Sequence, residues 1–138
     1  MKYTGYIAHK DGERVQSVQE HLTRTAYLAG NFAGRFGKED WGYCCGMLHD
    51  IGKYSAAFQK KIMENSDRLV DHSSAGARVC LEKGGLHELM SYCIAGHHGG
   101  LPDYGSMSDT AAAPTLMGRR RKKLEDYQAY REERGLKV

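Results

Sequence analysis

Asp40-Trp41-Gly42-Tyr43-Cys44-Cys45-Gly46-Met47-Leu48-His49-Asp50-Ile51-Gly52-Lys53 is the stretch from which the rest of the chain can be read. Asp40 is a residue type that accepts a hydrogen bond from the free N–H groups of a first helical turn. Trp41, Cys45, Leu48 and Gly52 then recur at helical spacing and line one side, and Gly52 marks the exit. His49 and Asp50, an imidazole next to a carboxylate, therefore fall in the last turns of a helix with a buried side.

The same signals repeat outward from this stretch. Ser17-Val18-Gln19-Glu20 fits a capping box, in which the serine and the glutamate each satisfy a free backbone N–H. Leu22, Ala26, Ala29, Phe32, Ala33 and Phe36 continue at helical spacing until Gly37 stops the helix. His21, Thr25, Leu28 and Phe32 share one side of it, which places His21 near the core-facing stripe. Ser55 to Asn65 reads as a third helix, with Phe58 and Ile62 inward and Lys60, Lys61 and Glu64 outward. Ser73 or Ser74 caps a fourth through Leu81, closed by Gly84-Gly85. A fifth runs from about His87 to His97-His98 and ends at Gly99-Gly100. Leu101 to Pro114 is loop-like. Leu116 to Arg134 reads as a polar, charged helix with Leu124 and Tyr127 on its apolar face and Tyr130 beside it. No segment reads as a strand. The expectation is an all-α, compact bundle of five to six helices.

The chain has 138 residues, enough for one core and too few for two. Hydrophobic residues make up 41% and charged residues 27%, ordinary for a soluble globular protein. No apolar run approaches bilayer length, so no membrane partner is expected. Met1-Lys2-Tyr3-Thr4-Gly5 has one basic residue and no apolar core, unlike a signal peptide. The expected location is the cytoplasm. Cys44, Cys45, Cys80 and Cys93 form no C-x-x-C pair and read as buried thiols acting as small apolar residues. A net charge of +3 points to no partner, but Arg119-Arg120-Arg121-Lys122-Lys123 gathers cations in one run. That run is either a solvated helix face or a phosphate-binding patch.

The seven histidines matter for their placement. His21, His49, His72, His97 and His98 each fall at or near a helix terminus or on an inward-facing side, with Asp50 directly beside one of them. Imidazole suits borderline transition metals, and a carboxylate can bridge two ions. A two-metal site clamps both the attacking and the leaving oxygen of a phosphoryl displacement. Singly, each histidine is more often an ordinary hydrogen-bonded side chain, and His9 and His87 are read that way. The compound pattern is different. It joins H-D-x-G-K, an upstream histidine in a capped helix, D-H-S downstream, and then H-H-G-G.

His49-Asp50-Ile51-Gly52-Lys53 resembles the signature of the HD phosphohydrolase superfamily. Within it, Asp71-His72-Ser73 and Ala95-Gly96-His97-His98-Gly99-Gly100-Leu101-Pro102-Asp103 resemble the HD nuclease domain of the CRISPR type I effector helicase-nuclease. The G-Y-P element of signalling HD domains that hydrolyse cyclic dinucleotides is absent. The resemblance covers His9 to about Gly118. It implies a helical, metal-dependent nuclease for single-stranded DNA, coupled to a helicase, fused or separate, and recruited by a CRISPR surveillance complex. By matching position, it implies that His21 and His49 hold one divalent ion, that His72, His97 and His98 hold another, and that Asp50 bridges them. The ions expected are manganese, iron, cobalt or nickel, with magnesium admissible. Lys53 is expected to touch the scissile phosphate or the attacking water.

Domains of that family close the first metal set with an aspartate from a late helix. Asp126 is the only carboxylate of that type here, and its surroundings do not match the pattern. The expectation is that residues 1–138 form a single, C-terminally incomplete nuclease domain whose last ligand lies beyond Val138. Arg119, Arg120, Arg121 and Lys122 are the expected nucleic-acid contacts, with Lys60-Lys61 as further guides and Tyr104, Tyr127 and Tyr130 as stacking candidates. Two other readings accompany this one, an HD-type nucleotide phosphohydrolase and a non-catalytic interaction module that retains the HD fold.

Overall fold

The computed structural model describes residues 5–133. Among these, the order is β1 (Ile7–Asp11), β2 (Arg14–Ser17), α1 (Val18–Gly34), α2 (Glu39–Leu48), a 3-10 turn (Ile51–Tyr54), α3 (Ala56–Met63), α4 (Ser74–Lys83), α5 (His87–Gly96), α6 (Leu116–Arg121) and a second 3-10 turn (Gln128–Glu132). The expected all-α class holds, with one small addition.

That addition is an antiparallel hairpin, β1 with β2, where no strand was expected. Lys10 pairs with Val15 and Asp11 with Arg14, and the register shifts between Ile7 and His9. Gly12 opens the two-residue loop at φ +60, a backbone angle glycine adopts without steric cost. The hairpin escapes periodicity because only Ile7 and Ala8 of β1 are buried while His9, Lys10 and Asp11 are exposed. It is tied to α3 by one side chain. The Gln59 amide donates to the Ile7 carbonyl and accepts from the Ile7 N–H, each at 2.9 Å. The same amide donates to the Lys53 carbonyl at 2.8 Å.

Ser17 caps α1 as expected, accepting from the Glu20 N–H at 3.0 Å. Val18, Leu22, Ala26, Gly30 and Ala33 form its buried stripe. Leu28, Phe32 and Phe36, read as core-facing, are instead more than half exposed. The later part of the stripe, Ala26, Gly30 and Ala33, is made of small residues because α1 packs most extensively on α2 at very close range. A Cβ at Gly46 of α2 would lie 2.5 Å from the Ala26 Cα, so glycine is required for the approach. Ser55 caps α3 through the Phe58 N–H at 3.1 Å, and Gly84 ends α4 at φ +69.

The core joins Leu22, Met47, Leu48, Ile51, Tyr54, Cys80, Ile94, Leu116 and Met117. Of the four thiols, Cys80 is buried, Cys44 and Cys45 are half-buried, and Cys93 is exposed. Burial pushes Cys45 and Cys80 up to about 12, so they behave as small apolar groups.

The last expected helix is shorter than its sequence suggests. α6 stops at Arg121 because the Arg78 guanidinium of α4 takes the carbonyls of Arg119, Arg120 and Lys122. Side-chain donors on the last carbonyls of a helix satisfy the groups its end leaves unpaired. The chain then runs without helical structure to Tyr127, and both Tyr127 and Tyr130 pack into the core. Neither can stack on a base. Tyr104 remains partly exposed. No helix among the described residues is long and apolar enough to cross a membrane.

Candidate metal centre

Side chains from separate elements converge at one end of the bundle. His21 comes from α1, and His49 is the residue that ends α2. Asp50 follows it where the helical path breaks at φ −124, ψ 26. His72 precedes α4, and His97 and His98 follow α5. A Cβ at Gly52 would lie 2.5 Å from the His72 carbonyl oxygen. Glycine in H-D-x-G-K therefore lets the His72 backbone reach the His49-Asp50 corner.

Asp50 is 3% exposed, and its two oxygens face different partners. Oδ2 lies 2.8 Å from His21 Nε2, 3.2 Å from His49 Nε2 and 3.4 Å from Lys53 Nζ. Oδ1 lies 3.1 Å from His97 Nε2 and 3.7 Å from His72 Nε2. Within each side the imidazoles also meet, His21 Nε2 to His49 Nε2 at 3.1 Å and His72 Nε2 to His98 Nε2 at 2.8 Å.

The rings are held from behind. Nδ1–H of His49 donates to the Gly46 carbonyl at 2.6 Å, that of His97 to Ile94 at 2.7 Å, and that of His72 to Val70 at 3.3 Å. A neutral imidazole that donates from Nδ1 has a bare lone pair on Nε2, and a carboxylate is an acceptor only. Lone pairs aimed at one another attract only if a proton or a cation lies between them. Backbone-anchored imidazoles of this kind are how proteins orient metal ligands. The donor set thus fits divalent ions, and it divides into two overlapping groups that can each hold one: Asp50, His72, His97 and His98, and His21, His49 and Asp50.

Burial alone would raise the Asp50 carboxyl, but hydrogen bonding with His21, His49 and His97 holds it far below the usual carboxylate range. Burial pushes His72 down to about 4 and lowers His98. Both are neutral near pH 7 and have lone pairs to offer. The hydrogen bond to Asp50 raises His97. Lys53 is 4% exposed. Its ammonium donates to the Ala8 carbonyl at 3.4 Å and sits 5.4 Å over the Phe58 ring. Burial lowers its pKa, against the pull of Asp50.

His87 lies at the start of α5, away from this cluster. Asp126 is exposed, accepts from the Gln128 N–H at 2.9 Å, and belongs to neither group. The basic run divides. Arg119 donates to Ser73 Oγ at 3.0 Å and Ser74 Oγ at 2.9 Å, while Lys122 pairs with Asp71 Oδ2 at 2.6 Å. Arg121 donates to the Met107 carbonyl. Arg120, Arg121 and Lys123 face solvent.

The sequence reading gave two residues beside the centre no role of their own: Asp71 stood only in the Asp71-His72-Ser73 stretch, and His9 was read as an ordinary hydrogen-bonded side chain. Asp71 accepts from the N–H groups of Ser73 at 3.1 Å and Ser74 at 3.0 Å and from Ser74 Oγ at 2.7 Å, so it caps α4 and seats His72. Its spacing to Ser73-Ser74 is a side-chain-to-backbone turn pattern that could have found it. His9 meets His21 edge to face with ring centroids 4.8 Å apart. Nothing local marks it, because its strand was not read.

The helical scaffold thus carries a histidine–carboxylate cluster whose donors suit divalent metal ions. The chain matches the HD domain over residues 18–134 and belongs to that family, whose members are generally metal-dependent phosphohydrolases.

Proposed function

We propose that the protein is a nuclease that cuts single-stranded DNA with two divalent transition ions, manganese, iron, cobalt or nickel, at the Asp50 centre. In this reading it acts in CRISPR type I antiviral defence beside a helicase domain and a surveillance complex. The observation that carries the hydrolytic part is the split of the Asp50 carboxylate, with Oδ1 toward His72 and His97 and Oδ2 toward His21 and His49. One carboxylate serving two donor groups is the arrangement a two-ion phosphodiesterase requires. The CRISPR part rests on the Asp71-His72-Ser73 and Ala95–Asp103 resemblance.

His72, His97, His98 and Asp50 would hold one ion, and His21, His49 and Asp50 the other. Ions bound there would lower the pKa of a water and neutralise phosphate charge. The protein's own part is orientation. The Gly46, Ile94 and Val70 carbonyls keep His49, His97 and His72 aimed at the carboxylate, and Lys53 adds a fixed positive charge at its Oδ2 side, where negative charge on a phosphate would be stabilised. A polymeric substrate is favoured by openness. His97, His98, Gly99, Gly100 and Leu101 are all exposed, so a backbone can reach the second half from solvent. Of the basic run, Arg120 and Lys123 are the exposed side chains placed to meet phosphates beyond the centre.

Cleavage rates on single-stranded DNA, duplex DNA and a panel of nucleoside mono- and triphosphates, with manganese, test the reading. The expected result is a preference for the single strand and neglect of free nucleotides. A preference for nucleotides would replace it with the nucleotide phosphohydrolase reading.

A further inference from the structure

A groove of about 340 Å³ runs between β1 and α3, lined among others by His9, Lys10, Phe58, Lys61 and Ile62. Its inner end touches both halves of the centre. His9 stands edge-on to His21 at 4.8 Å, and Phe58 meets the His72 ring at 5.3 Å. Between them lies Lys53, bonded to the carbonyl of the groove residue Ala8 and 3.4 Å from Asp50 Oδ2.

The groove's chemistry is one-sided. Among the described residues, every lining side chain that can carry charge is basic (His9, Lys10 and Lys61), and no carboxylate lines the groove. In a chain whose net charge is only +3, a groove without acids selects anions. Its floor is apolar, with buried Phe58 and half-buried Ile62, a surface suited to a sugar or base edge. Its walls are fixed before any ligand arrives, because the Gln59 amide clamps β1 to α3 and to the 3-10 turn. Pre-set walls reduce the ordering cost of binding.

We infer that this groove, formed by β1 and α3 beside the Asp50 centre, binds the phosphates of a single-stranded nucleic acid that flank the one being cut, through Lys10 and Lys61. The inference rests on the nuclease reading for its scissile phosphate, and its test is separable from that reading.

The test is binding of a fluorescein-labelled fifteen-nucleotide thymidine strand to the full chain by anisotropy, across a salt series, with divalent ions chelated so the strand stays intact. The Lys10→Gln/Lys61→Gln double variant should bind about tenfold more weakly, and its log–log salt slope should fall by about 1.4, near 0.7 for each lost phosphate contact. Lys83→Gln makes the same kind of charge change at the exposed end of α4, outside the groove, and should bind like the parent. Hydrolysis of bis-para-nitrophenyl phosphate with manganese should be equal in all three, showing that fold and centre are intact. If the double variant binds like the parent, or if Lys83→Gln is equally damaging, the groove assignment falls. The parent's cleavage of single-stranded DNA judges the nuclease reading independently, so one can fail while the other stands.

Discussion

The two halves of the centre share Asp50 and differ in almost everything else. On one side His21 and His49 are the only other donors among the described residues, both largely buried, and the Lys53 ammonium stands 3.4 Å from the oxygen they share. On the other side His72, His97 and His98 give four donors with Asp50, lie closer to solvent, and have no lysine against their oxygen. A fixed cation beside a carboxylate oxygen repels a second cation there, by about 4 kcal/mol for unit charges 4 Å apart at an effective dielectric near 20. Fewer ligands and an adjacent ammonium both disfavour an ion in the first half. The second half should fill first and hold its ion more firmly.

The largest effect expected from this comparison comes from the residue common to both halves. Asp50→Asn keeps the shape and removes the only carboxylate in either group. Cleavage should fall on the order of 10³-fold, about 4 kcal/mol of barrier, while far-ultraviolet circular dichroism stays helical. Metal analysis after dialysis should show both ions weakened. A variant that keeps one ion firmly and cuts within tenfold of the parent would remove Asp50 from the bridging role.

A smaller pair of effects separates the halves. His98→Ala takes a donor from the four-donor group, and the firm ion should weaken on the order of 100-fold, the upper range for disturbing a ligand shell. His21→Ala should leave the firm ion in place and lose only the weaker one. Calorimetric titration with manganese reads both changes. If His21→Ala removed the tight binding event instead, the ranking of the two halves would be reversed.

The halves also differ in what the sequence disclosed about their surroundings. The histidines and the carboxylate that the two groups gather were legible in both, because a capped helix start at Ser17, glycine stops after His98 and the H-D-x-G-K corner place side chains by local rules. The packing around them was not. Leu28, Phe32 and Phe36 match the helical period of α1 as well as its true core residues do, and only the close approach of Gly46 to Ala26 decides which stripe is buried. The hairpin beside the first half carries too few buried residues to show an alternating pattern, although Asp11-Gly12 is a turn signal of the right kind. The tail beside the second half breaks after Arg121 because Arg78, over forty residues earlier, caps it. Long-range contacts of that sort leave no local trace.

The smallest effect concerns how the second half is seated. Asp71 does three things at once: it caps α4 through the Ser73 and Ser74 N–H groups, accepts from Ser74 Oγ, and pairs with Lys122 at 2.6 Å. Burial alone would raise its carboxyl, but the bonds from Lys122 and Ser74 hold it down at about 2. Asp71→Ala removes the cap and leaves Lys122 without its partner, so urea unfolding should show a loss of about 1–2 kcal/mol, the usual range for a helix cap with a charged acceptor. His72 is the next residue; its ring bonds to the Val70 carbonyl at 3.3 Å and packs on Phe58 and His98, while its backbone is set by this turn. The loosened turn should therefore weaken the firm ion a few-fold, well short of the loss expected for His98→Ala. The bonds of His21 and His49 run to Asp50, to the Gly46 carbonyl and to each other, so the weak ion should change less than the firm one. Lys122→Met separates the two contributions, because it keeps the helix cap and removes only the ion pair, and should cost less than half as much. An Asp71→Ala protein that unfolds like the parent yet loses the firm ion entirely would show Asp71 acting at the metal itself and not through the seat of His72.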